Sequence, residues 1–165
     1  MTKSKIKNFK SQLADLNFYK FCKHNDSDFG IISRTGYTGE LGYEIIANHS
    51  AIKQIWKILM NNDLNPCGLA VRDVLRIEMK YCLYGNDLSD DINPIEAGLN
   101  RFVSLKKETD FIGKASAIQE EVDGGTLRLR TFIVQAKDAD VNGDEPIWFG
   151  DEVKGWVTSG GYAHN

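Results

Sequence analysis

A carboxylate stands in an otherwise apolar run at Tyr43-Glu44-Ile45-Ile46, directly after the glycine-punctuated stretch Thr35-Gly36-Tyr37-Thr38-Gly39-Glu40-Leu41-Gly42. If such a charge is buried it must find donors, and a ligand can be the donor. Strand alternation gives the plainer reading, with Glu44 facing water. The residues alone leave both readings open. A second group is Arg72-Asp73 and Arg76, two cations one helical turn apart with an acid beside them. Pairs of this kind ordinarily sit on a solvated helix face and contribute little. An arginine near a helix start nevertheless runs against the macrodipole, and its guanidinium suits a planar acceptor. Tyr81, Tyr84 and the acidic run Asp87 to Asp91 gather oxygen atoms, but not at the spacing of a calcium loop, so a solvated turn is expected there.

Other chemistries are excluded by what the residues lack. Gly113-Lys114 is followed by Ala115, and Glu108 stands where a phosphate-cradling loop would open with glycine. No G-x-G-x-x-G opens a helix after a strand, and no G-x-S-x-G elbow occurs. His24, His49 and His164 are scattered, and Cys22, Cys67 and Cys82 are odd in number without metal-finger spacing. We therefore read all six as structural or surface residues and assign no metal site and no catalytic residue. With 20 Lys+Arg against 23 Asp+Glu, the net charge of −3 lacks the basic surplus of a nucleic-acid binder. The basic start Met1 to Lys7 leads into no apolar stretch, so neither a signal peptide nor a membrane span is expected, and a cytoplasmic location follows.

The elements that must position these groups can be read from periodicity. Within residues 1–29 a short helix or strand is expected around Leu13, Leu16, Phe18 and Phe21. Gly30 to Arg34 and Tyr43 to Ala47 read as strands joined by the glycine loop. Ile52, Ile55, Trp56 and Leu59 repeat as the apolar stripe of a helix with Ser50 as its cap, ending near Asn61-Asn62. A second helix is expected from Gly68 to about Lys80. From Thr126 the period changes: Leu127, Leu129, Thr131 and Ile133 alternate as in a strand, and Asn142-Gly143 and Phe149-Gly150-Asp151 read as hairpin turns. The fold class is thus α+β, mixed α/β followed by a β-meander, with a linker at Asp123-Gly124-Gly125. The final strand and glycine turn leave too few strands to close a barrel, so the sequence reads as a fragment.

Five motifs in order resemble one family. Arg34-Thr35-Gly36-Tyr37-Thr38-Gly39-Glu40-Leu41-Gly42-Tyr43-Glu44-Ile45 is similar to the R-T-G-Y-T-G-E-x-G-x-E-I signature of the glycine cleavage system T-protein, a tetrahydrofolate-dependent aminomethyltransferase. Gly68 to Glu78 resembles its G-L-x-A-R-D-x-L-R-x-E. Leu83 to Asp87, Pro94 to Leu99 and Asp110 to Lys114 follow in the same order. The stretch from Asp138 to Tyr162 also resembles the folate module of dimethylglycine and sarcosine dehydrogenases.

The resemblance implies a partial folate-binding domain at 1–122 and the start of a C-terminal β-barrel domain at 123–165. It implies tetrahydrofolate as cofactor, with Glu44 as the pterin anchor, Tyr37 in the pocket wall and Arg72 at the folate site, forking onto acceptor atoms or holding Glu44 in register. A pterin presents an N–H and an exocyclic NH₂ side by side, which one carboxylate can accept together. The implied reaction moves a one-carbon unit from a small amine-derived donor to the folate. The implied partner is a lipoyl-carrier protein for a T-protein, or a flavin domain for a dehydrogenase fusion. The family's catalytic aspartate precedes the first matched motif, so this fragment is expected to be inactive alone. A non-catalytic relative in iron–sulfur cluster maintenance carries K-G-C-Y-x-G-Q-E, where this chain has Lys80 to Asp87 with a different pattern.

Overall fold

Strand-forming residues meet at Ile31, Ile32, Ile45 and Ile46, whose branched side chains suit a pleated, half-covered surface. In the computed structural model, which describes residues 13–23 and 30–162, they form β2 (Ile31–Ser33) and β3 (Glu44–Ile46). These pair antiparallel, with Ile32 opposite Ile45 and Ser33 opposite Glu44. Strand β1 (Phe21–Lys23) adds to the other edge of β2, Cys22 facing Ile32, to give the order β1-β2-β3. Period-two alternation puts Cys22, Ile32 and Ile45 on one face and Phe21, Ser33 and Glu44 on the other. Only the first face is covered, with Ile32 buried and Phe21 and Glu44 exposed. The short element expected before residue 29 is therefore β1. His24, His164 and the basic start lie outside the described residues.

Helix α1 (His49–Met60) forms over the apolar stripe, but the stripe expected to be buried is not: Ile52 and Trp56 are exposed, Ile55 and Leu59 half-buried, and Ala51 is the buried residue. Its cap is Asn48 rather than the expected Ser50: Asn48 Oδ1 accepts the Ala51 N–H at 2.9 Å, and Ser50 donates its hydroxyl to the same oxygen. The amide reaches the orphan N–H from an extended backbone, whereas Ser50 already lies inside the helix. Helix α2 (Leu69–Glu78) starts from Gly68 and stops at Lys80, which takes a left-handed φ of 59°.

By packing, the chain divides into two compact units, Met1–Met79 and Lys80–Asn165. In the second, Asn93 Oδ1 accepts the N–H groups of Ile95 and Glu96 while Glu96 Oε2 accepts that of Asn93, a reciprocal cap that buries Ile95 and Ala97. Helix α3 (Lys114–Asp123), not foreseen from periodicity, runs into the expected linker Asp123-Gly124-Gly125, with left-handed Gly113 and Gly124 at its two ends. Strands β4 (Pro146–Phe149) and β5 (Glu152–Trp156) form the expected hairpin around Gly150.

Two sequence expectations fail here. Residues 126–133 form no strand; Leu129 N–H donates to Glu96 O at 2.8 Å. Alternation orients side chains, but a strand also needs a partner ladder, and among the described residues none lies alongside. Asn142-Gly143 is not a hairpin turn either. Both N–H groups donate to the Glu145 carboxylate, at 3.0 and 2.8 Å. Among the described residues the architecture is mixed α/β with two small sheets, and no helix is long and apolar enough to cross a membrane.

Candidate functional site

The loop between β2 and β3 is seated on the end of α2. Gly39 has φ +75°, a conformation that favours glycine, and a Cβ built there would meet the Met79 side chain. At the base of the loop Arg34 donates to the Tyr43 hydroxyl at 3.0 Å and lies over its ring, while that hydroxyl donates to Leu13 O. With its base tied and its middle seated, the loop presents Tyr37. The Arg72 guanidinium of α2 stacks over that ring, 4.6 Å from its centroid.

Glu44 lies on the open face of the sheet and is exposed, as strand alternation expects. Its Oε2 accepts the hydroxyl proton of Thr35, and the Thr35 and Ser33 hydroxyls are 2.9 Å apart. Glu44 makes no ion pair with Arg72 among the described residues, so the option that Arg72 holds it in register is not realised. Arg72 is engaged by Tyr37 instead. The structure thus brings Tyr37 and Arg72 into contact, and joins Glu44 to two residues the sequence did not single out. The signal for these was available in principle: Ser33 is the register partner of Glu44, and Thr35 follows two residues on.

Two charged residues read as solvated are buried. Arg76 is 2% exposed, its Nε bonded to Asp73 Oδ1 at 2.7 Å, so α2 turns one arginine inward and one outward. Asp87 is 6% exposed: Oδ2 accepts the Leu83 N–H at 2.9 Å and Oδ1 accepts the Thr158 hydroxyl. Near it, Asn86, Gly143, Trp156 and Thr158 help line a polar hollow of about 200 Å³. The backbone N–H of Asn142 is the chief cause holding the Glu145 carboxyl below the usual carboxylate range. The hydrogen bond to Asp90 pushes the exposed Tyr84 phenol above its ordinary value. The three cysteines are free. Among the described residues no group of three or more His, Cys, Asp or Glu side chains could hold a metal ion.

Comparison with known proteins places these residues in context. The profile of the family described as GCVT N-terminal domain matches residues 4–107. An aminomethyltransferase of Prochlorococcus marinus is 40% identical over 132 residues, covering 80% of this chain and 35% of the relative. One from Listeria monocytogenes is 40% identical over 152 residues, covering 90% of this chain and 41% of the relative. The crystal structure of glycine cleavage system aminomethyltransferase T from Bartonella henselae superposes with a TM-score of 0.56 at 32% identity, over 67% of this chain and 31% of that one. The chain therefore spans roughly a third to two-fifths of the length of the relatives it matches.

Proposed function

This chain belongs to the GCVT N-terminal domain family, and on that premise we propose that it supplies the pterin-binding wall of a tetrahydrofolate-dependent aminomethyltransferase. The observation that carries the reading is Glu44. Among the described residues its Oε2 takes one hydroxyl proton and its Oε1 takes none. A carboxylate offers about four acceptor positions, so three remain, at least one on each oxygen, for the paired N–H and NH₂ of a pterin. The acceptors present therefore fit the group. Tyr37 contributes an aromatic face against which a flat ring is buried, and the stacked Arg72 keeps that ring in place while its N–H edge remains for an acceptor on the ligand. When bound, tetrahydrofolate supplies a nucleophilic nitrogen that accepts the one-carbon unit. The role proposed for Glu44, Tyr37 and Arg72 is to bind and orient it.

In this reading, residues 1–122 form part of the folate-binding domain and 123–165 begin a C-terminal β-barrel domain. The amine-derived donor arrives on a lipoyl-carrier protein. The relatives reported above are aminomethyltransferases, which favours this over the dehydrogenase module. The test is calorimetric titration of 5-formyltetrahydrofolate into the chain and into Glu44→Ala. Losing a pair of hydrogen bonds to a charged group is expected to weaken binding roughly 10- to 100-fold. Equal affinity in the two proteins, or no binding to the parent chain, overturns the proposal.

A further inference from the structure

We propose that Thr35 is a positioning residue for this site, fixing the plane of the Glu44 carboxylate before any ligand arrives; the inference rests on the folate reading above. An exposed glutamate in a strand has three rotatable bonds, and freezing them on binding costs conformational entropy. Here that ordering is built into the sheet. Ser33 and Glu44 are opposite each other in the β2–β3 ladder, and Thr35 lies one alternation beyond Ser33, so all three approach one another on the open face. The proton count then assigns direction. Ionised Glu44 only accepts, so Thr35 commits its single hydroxyl proton to Oε2. Thr35 can then only accept from Ser33, whose hydroxyl is 2.9 Å away. The relay runs from Ser33 to Thr35 to Glu44, and each hydroxyl has one orientation.

The relay occupies Oε2 alone, and one lone pair of it. A single donor on one oxygen leaves three coplanar acceptor directions, one on Oε2 and two on Oε1, so each oxygen can still accept from one of an adjacent N–H and NH₂. Specificity for a ligand with two neighbouring donors therefore depends on Thr35 as well as on Glu44.

The experiment titrates the chain and the variants Thr35→Val, Thr35→Ser and Thr35→Val/Glu44→Ala with 5-formyltetrahydrofolate and with its analogue in which a methyl replaces the 2-amino group. It also records the Glu44 side-chain carboxyl ¹³C resonance without ligand. Valine keeps the shape and β preference of threonine but donates nothing, so a 5- to 20-fold loss of affinity for 5-formyltetrahydrofolate is expected. Serine restores affinity to within about twofold, the loss largely disappears for the 2-methyl analogue, and the double variant is no weaker than Glu44→Ala. The ligand-free carboxyl resonance shifts in Thr35→Val and returns in Thr35→Ser. A Thr35→Val protein that binds like the parent, or a loss that persists with the analogue or adds to that of Glu44→Ala, overturns the positioning role while the folate reading stands. Absence of binding to the parent overturns the folate reading itself, and an unmoved carboxyl resonance overturns the Thr35 tie independently of any ligand.

Discussion

Each unit of the molecule holds a carboxylate by a threonine hydroxyl, and the two holdings are opposite in kind. In the second unit Asp87 is buried, and both its oxygens are taken by the chain itself, one by a main-chain N–H four residues back and one by Thr158, 71 residues away. In the first unit Glu44 is exposed, and its tie to Thr35 leaves one oxygen without a partner among the described residues. The arginines of α2 repeat the contrast, Arg76 buried against Asp73 and Arg72 outside on the face of Tyr37. A charged group whose valences are all met internally is architecture. One that is held yet incompletely satisfied is equipped to meet something else.

This contrast predicts a ranked set of effects. Removing Asp73, a half-exposed carboxylate, takes one charged hydrogen-bond partner from the buried Arg76 guanidinium, so Asp73→Ala is expected to cost about 2 to 3 kcal/mol in urea unfolding. Asp87→Ala strands the Leu83 N–H and the Thr158 hydroxyl and is expected to cost about 2 kcal/mol by the same measurement. Glu44→Ala, at an exposed site, should change unfolding by less than about 0.5 kcal/mol while abolishing most folate affinity. A stability loss at Glu44 equal to that at Asp87 would erase the distinction between them. The smallest effect is pH-dependent. Because Glu145 has its carboxyl held below the usual range in the folded state, the contribution of its two turn bonds is present above the ordinary carboxylate range and is lost as pH falls through the lowered value. Amide resonances of Asn142 and Gly143 should move together at a pH below that range, and Glu145→Gln should remove the transition.

Much of the first unit was legible because its signals are local. Glycine punctuation between isoleucine-rich runs marked β2 and β3, and the stripe at Ile52, Ile55, Trp56 and Leu59 marked α1. Tyr37 and Arg72 came from motif resemblance and are in contact. The failures share a different cause. The inward turn of Arg76 depends on what packs around α2, and burial of Asp87 depends on a residue far along the chain, neither of which composition can reveal. The alternation at 127–133 had no ladder partner, while α3 passed unnoticed because its ten residues offer only a weak apolar stripe around Ala117, Ile118 and Val122. Thr35 stands inside a motif, but a hydroxyl becomes informative only once the register shows which carboxylate lies beside it.

The seating of Gly39 against Met79 has a mechanical consequence. Tyr37 meets α2 at Arg72, seven residues earlier, so the loop is riveted to the helix at two points about 10 Å apart along its axis at 1.5 Å rise per residue. A strip fastened at one point can swivel; fastened at two, it can only lift off whole. Lifting the loop from the helix therefore disturbs two contacts together, the guanidinium stack at Arg72 and the seat of Gly39 on the Met79 side chain.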